Sequence, residues 1–405
     1  MSLKLLLVSV DGTLAHGNQI SGKIAAELGR LVRELDARGV RTVLWSNRNW
    51  TVGGVPLRQY FSQIAGIDVP VHGAGVDRSP ARVLQNSAAP ILQRYGVQTH
   101  ETVLVGGMTD DMRAGVQNQF ILVRPDWYAQ QMEYGFPVAS VGELARFCFV
   151  FALRQHPIFW RVQHGNLDVS AGGPFSTMNE RFAVFGGDAR AFAKHGQGHP
   201  DFWFYFTVSS LYFAGLLQGV DYICSYPGHK PDSDPDIHGV SATLARLGKC
   251  FGKSYYHDLI IRHREAPKSQ YTKAANRRFI TQLNTIHLQP KPHRNLRDQP
   301  NKTNLKLAGK RVLVVDDFCT SGCSSEAARA FIEAAGGQAR LYSWLRTINT
   351  AYQEITPSID LNAYAAASLA ADPPAVAHAY HAGIIDHHAP GEIQSIFDQF
   401  CGWTW

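Results

Sequence analysis

The residues with the clearest chemical potential lie in one run, RVLVVDDFCTSGCSSEAARAF. Val312 to Val315 are apolar, Asp316 and Asp317 follow, and a loop of small residues then opens into an Ala-rich stretch. This order predicts a strand, a tight loop and a helix. A strand ending in two carboxylates offers them to sugar hydroxyls, and through those to a bound metal, with Mg²⁺ the ion that oxygen ligands suit. Thr320, Ser321, Gly322, Cys323 and Ser324 are small enough for backbone N–H groups to wrap a phosphate. Hydroxyls and the positive end of the next helix add to that cradle. The expected chemistry is recognition of a phosphorylated sugar. Cys319 and Cys323 read as small loop residues rather than redox centres.

Upstream, IRHREAPKSQYTKAANRRF gathers Arg262, Arg264, Lys268, Lys273, Arg277 and Arg278 around Gln270. Cations suit a leaving group that builds negative charge as its bond breaks. ICSYPGHKP puts Gly228 and Lys230 at a second strand end, one allowing close backbone approach and the other adding charge. Tyr226 and Trp344 are candidates for stacking on a base.

Positioning these groups calls for an α/β fold. LKLLLVSV, VRTVLWSN, ETVLVGG and QFILVRP read as strands. Between or after them, SGKIAAELGRLVRELDARG (capped by Ser21, stopped by Gly39), APILQRYGV and VGELARFCFVFAL read as helical. Residues 156–180 break into Gly, Pro, Asn and Ser and predict a linker. A second block follows: RFAVFGG as strand, VDYICSYP as strand, GVSATLARLGKCFG as helix, then KRVLVVDD, SSEAARAFIEAAGG and QARLYSWLRT as strand, helix and strand. The expected organisation is two doubly wound parallel-sheet domains, residues 1–155 and 181–355, with a C-terminal extension 356–405.

The run from Val312 resembles the signature of type I phosphoribosyltransferases, which bind 5-phosphoribosyl 1-pyrophosphate (PRPP), and the upstream Arg-rich stretch resembles the ComF-like branch. That likeness implies that Asp316 and Asp317 hold the ribose hydroxyls and residues 320–324 the 5′-phosphate. Gly228, Lys230, Arg262, Arg264, Gln270 and Arg278 would hold pyrophosphate. It also implies Mg²⁺ and PRPP or a nucleotide as ligands, in a transferase of nucleotide metabolism or a non-catalytic sensor. LLLVSVDGTLA resembles the first motif of haloacid dehalogenase-like (HAD) phosphohydrolases, LWSN (Ser46, Asn47) the second, RSPARVL (Arg78) the basic position and VLVGGMTDDM the fourth. Ser9 stands where that family has its nucleophilic aspartate, although Asp11 remains, and Gly107 replaces a metal-binding acid ahead of Asp110 and Asp111. Serine without an activating base neither attacks phosphorus nor binds magnesium well. The likeness therefore implies a pseudo-phosphatase. HAD and phosphoribosyltransferase fusions also resemble components of stress and phage-defence clusters.

The bulk numbers agree with a globular protein: 405 residues, 45% hydrophobic, 18% charged, net charge +6. So mild an excess suits an anionic small molecule better than nucleic acid. Protein partners and self-association stay open. The six cysteines form no C-x-x-C pair and no secretory signal is visible, so a reducing cytoplasm is expected. Nineteen uncharged residues separate Asp201 from Asp221, but Thr207, Ser209, Ser210 and Gln218 among them favour a buried helix over a membrane span. His378, His381, His387 and His388 read as surface or packing residues, and Trp403 and Trp405 as a tail docked on a domain surface.

Overall fold

Leu5–Ser9 (β1) is buried along its whole length, as a strand covered on both faces must be. Around it stand Arg41–Trp45 (β2), Val71–His72 (β3), Thr102–Val105 (β4), Ile121–Pro125 (β5) and Phe136–Val138 (β6). Their order is β6-β5-β4-β1-β2-β3, and every pairing is parallel. The computed structural model describes residues 2–128, 132, 134–176, 178–231, 239–267, 277–295 and 299–405. Gly22–Asp36 (α1) follows β1; the Ser21 side chain accepts from the Ile24 N–H, and Gly39 takes a left-handed turn (φ 79°) into β2. Its buried Ile24, Leu28, Leu31, Val32 and Leu35 recur at helical spacing. Leu57–Ala65 (α2), Ala89–Tyr95 (α3), Thr109–Asn118 (α4) and Val141–Arg146 (α5) complete this block.

The second sheet is built from Trp160–His164 (β7), Leu167–Phe175 (β8), Tyr222–Ser225 (β9), Ser254–Tyr255 (β10), Arg311–Cys319 (β11) and Gln338–Thr347 (β12). Tyr352–Ile355 (β13) and Ala375–His378 (β14) pair with each other, and Ile384–Ile385 (β15) joins the main sheet. Its order is β10-β9-β11-β12-β8-β7-β15, with β10 to β8 parallel and β7 antiparallel to both its neighbours. Helices Ala183–His195 (α6), Pro200–Phe213 (α7), Gly239–Phe251 (α8), Cys323–Ala334 (α9) and Ala389–Cys401 (α10) pack around it.

Three expectations change. Residues 156–180 are not a free connection, because β7 and β8 lie within them and enter the sheet. RFAVFGG is not a strand: Phe182 lies in a short helical turn, and Phe185, Ala189 and Phe192 line the buried side of α6. The C-terminal stretch supplies β15 and α10, whose Ile393, Ile396 and Phe397 are buried.

The apolar segment forms α7, buried at every position from Phe202 to Phe213. A helix with no polar face must be covered on all sides. Accordingly one hydrophobic core runs through both blocks, from β1 and α5 across α7 to β12 and α10. The polar groups of α7 find partners inside: Thr207 donates to the Trp203 carbonyl (2.7 Å), Arg154 donates to Ser210 Oγ (2.8 Å), and Tyr212 donates to the Thr99 and Thr102 carbonyls (2.6 Å each). Among the described residues no helix is long and apolar enough to cross a membrane. Trp403 and Trp405 dock on the first block, with the Arg30 guanidinium 4.1 Å from the Trp405 ring and Phe149 5.9 Å away.

Candidate functional site

Parallel strands aim their carboxyl ends at one edge, and in the second sheet that edge gathers the chemistry. Ser225 pairs with Val315, and the Tyr226 N–H donates to the Val315 carbonyl, so the turn after β9 stands beside Asp316. The chain then leaves β11 through Thr320 and Ser321 and enters α9 at Gly322, whose φ of 87° a side chain would strain. A Cβ there would also sit 2.4 Å from the Tyr352 ring.

The loop is held from behind. Arg346, wholly buried over the Trp160 ring (4.7 Å), donates to the carbonyls of Cys319 (3.1 Å) and Thr320. Because C=O and the next N–H of a trans peptide point opposite ways, the N–H groups of Thr320 and Ser321 face away from that guanidinium. Thr320 Oγ1 meets Thr347 Oγ1 at 2.9 Å, and the Gln353 N–H donates to the Ser321 carbonyl at 2.9 Å. Arg346, Tyr352 and Gln353 are the loop's supports, and nothing in their spacing marks them in the sequence. Burial pushes the Cys319 and Cys323 thiols up, which fits small packing residues better than reactive ones.

The two acids differ. Burial and then the adjacent Asp317 charge push the Asp316 carboxyl well above its ordinary value. Burial acts on Asp317 too, but Lys194 of α6, 2.6 Å away, holds it below its ordinary value. Lys194 is raised in turn, chiefly by Asp317. Its side chain is 47% exposed, so this is an ion pair a ligand can displace.

The cationic residues are divided. Arg262 is buried on the short strand Ile260–Arg262 and spends its donors internally: on the Gly228 carbonyl, Thr285 Oγ1 (2.5 Å) and Gln282 Oε1 (3.0 Å). It braces the turn after β9 rather than standing ready for pyrophosphate. Tyr226 donates to the same Gln282 oxygen (2.7 Å), and burial pushes its hydroxyl up to about 12. Lys230 is exposed beyond Gly228. Arg264 donates to the Asn284 carbonyl (3.3 Å), and Arg278 pairs with Asp372 (2.9 Å). Arg277, its neighbour in sequence, lies near Cys323 and Cys319 of the loop, and burial lowers its guanidinium. Gln270, Lys268 and Lys273 lie outside the described residues. Trp344 is no stacking platform: it is wholly buried between Phe192 (5.7 Å) and Trp203 (5.4 Å).

The first sheet's carboxyl edge brings together Ser9, Asp11, Ser46, Asn47 and Asp111. Arg82 lies in their midst, 3% exposed. Its Nη1 donates to Ser9 Oγ (2.6 Å) and to Asp111 Oδ1 (2.6 Å), and its backbone N–H donates to Asn47 Oδ1 (3.2 Å). Asp111 is fully buried and also accepts from the Met108 N–H (2.9 Å). Burial raises its carboxyl, with Arg82 opposing. Ser46 Oγ donates to the Arg48 carbonyl (2.9 Å), and Asp11 pairs with Arg48 (2.8 Å). Arg78 is exposed at φ 62°, and the buried cation of this edge is instead Arg82, four residues further along the sequence. Asp110 is also turned outward, 3.6 Å from Arg113.

No protein-family model and no curated protein matches the chain. Among solved structures it is similar to the cobalt-bound deoxy-D-mannose-octulosonate 8-phosphate phosphatase from Haemophilus influenzae. That match has 14% identity and a TM-score of 0.26, and covers 36% of this chain and 87% of that one. The Moraxella catarrhalis 3-deoxy-D-manno-octulosonate 8-phosphate phosphatase, in complex with magnesium, phosphate and sugar acid, matches at 15% identity and TM-score 0.27, over 36% and 85% of the two chains. The D,D-heptose 1,7-bisphosphate phosphatase from B. bronchiseptica, complexed with magnesium and phosphate, matches at 16% and 0.26, over 35% and 96%.

Proposed function

We propose that the carboxyl edge of the second sheet binds PRPP or a nucleotide, and that the protein is a phosphoribosyltransferase carrying a HAD-like domain without phosphatase turnover. One observation carries the reading. The acid pair near the carboxyl end of β11, followed in the strand by Phe318 and Cys319, stands beside the turn after β9 and ahead of a glycine-initiated helix, at the edge of the sheet's parallel strands. Asp316 and Asp317 would orient the ribose through its hydroxyls. The N–H groups of residues 320–324 and the N-terminus of α9 would hold the 5′-phosphate. Lys230, after the turn that follows β9, and Arg277, near the loop cysteines, would meet the departing pyrophosphate, while Lys194 stands beside the acids.

The oxygen donors of Asp316 and Asp317 fit Mg²⁺, held directly or through the sugar, which would neutralise charge on the departing pyrophosphate. The first sheet's edge does not fit that ion. A guanidinium lies between Ser9 and Asp111, Asp11 is paired with Arg48, and Gly107 offers no carboxylate. No phosphatase step follows from such a site.

The test is turnover. With PRPP, Mg²⁺ and a panel of bases and amines, the wild-type chain should release pyrophosphate with one of them. PRPP binding without pyrophosphate release from any acceptor would reduce the reading to a sensor.

A further inference from the structure

Glu354 on β13 lies inside the protein, 7% exposed, and the charges around it do not balance. Arg329 of α9 is the nearby buried cation, and its donors are spent elsewhere. Nε and Nη2 bond Glu326 (Nη2 at 2.6 Å), Nη1 bonds Glu333 (3.0 Å), and Nη2 also bonds the Ile355 carbonyl (2.7 Å). Glu354 Oε1 is left 3.9 Å from Nη2, outside hydrogen-bond range. Three carboxylates thus share one guanidinium, and Glu354 is the one short of a cation.

Two histidines from separate segments face it. His378 of β14 puts Nε2 2.6 Å from Glu354 Oε2, and His164 at the end of β7 puts Nδ1 3.8 Å from the same oxygen. One donor atom from each of the three residues lies within 4.8 Å of the other two. We propose that His164, Glu354 and His378 bind Zn²⁺ or a similar borderline divalent ion, stapling the β7 end to the β13–β14 pair.

Two imidazoles and a carboxylate form a zinc donor set with room for water as the fourth ligand. A tetrahedral ion about 2.1 Å from each ligand holds ligand atoms roughly 3.4 Å apart. The 2.6 and 3.8 Å separations bracket that value. His164, whose side chain is 74% exposed, can turn to complete the site and leaves it open to solvent. The ion supplies the positive charge that Glu354 lacks. Hard Mg²⁺ prefers all-oxygen sites, so the proposal is independent of the acid pair on β11.

The experiment strips the full chain with a chelator and titrates Zn²⁺ against a chromophoric competitor, with Co²⁺ absorption reporting geometry. One tight zinc per chain is expected, with the visible bands of tetrahedral cobalt. Exposed His164→Ala should keep the metal-free unfolding midpoint and lose the tight zinc. His293→Ala, which removes the separate His293–Asp258 pair (2.7 Å), should retain it. Absence of tight zinc in the wild type, or zinc retained in His164→Ala, would overturn the site.

Discussion

At the first sheet's carboxyl edge a buried guanidinium fills the space between Ser9 and Asp111, whereas at the second the charge is two carboxylates countered by a half-exposed lysine. The first arrangement neutralises its own charge: Arg82 and Asp111 are 3% and 0% exposed and pair with each other at 2.6 Å, although Arg82 Nε has no hydrogen-bond partner among the described residues. The second leaves Asp316 lifted by burial and its neighbour's charge, a state that a bound cation or sugar relieves. Similar topology thus supports opposite uses. An edge that neutralises its own charge becomes structure, and one that stores imbalance stays available to a ligand.

The sharpest way to break this contrast is Arg82→Met. It leaves Asp111 buried without its cation, and unfolding by denaturant should show a loss of about 3–5 kcal/mol. A loss below about 1 kcal/mol would mean that the first edge does not depend on neutralising its own charge. Ser9→Ala deletes one charged hydrogen bond while Arg82 keeps Asp111, so the same measurement should report about 1–2 kcal/mol. PRPP affinity should not change, and a change would show that the first edge takes part in ligand binding. Lys194→Met removes the counter-charge of Asp317 at the second edge. Because that lysine is half exposed, Mg²⁺-dependent PRPP affinity should tighten only about two- to fivefold. Weaker binding would make Lys194 a ligand contact rather than a displaceable partner.

Much of this was legible in the chain because period and punctuation agreed. The strands and helices of the first block alternate with clear spacing, and VLVVDD followed by a small-residue loop predicts the strand–loop–helix that β11 and α9 form. What escaped is physical in origin. LDVSAGGPF reads as loop because of its glycines, yet it is β8. A Cβ on Gly172 would lie 2.5 Å from the Tyr342 hydroxyl, and one on Gly173 2.5 Å from Ile393, so these glycines answer crowding rather than a turn. RFAVFGG has the aromatic and branched residues of a strand, but Phe185, Ala189 and Phe192 are buried at helical spacing. Arg78 and Arg82 differ only in where the chain turns, which no local pattern reveals. The loop's supports, Arg346 and Tyr352, come from distant segments that meet only in the fold.

The most direct test of the central claim is calorimetric titration of PRPP with Mg²⁺ into the full chain and into the Asp316→Asn/Asp317→Asn variant. The wild type should bind at one site per chain, and the variant should keep the unfolding midpoint within a few degrees while losing measurable binding. Equal affinity in the two proteins would contradict the assignment of the second edge as the sugar-phosphate site.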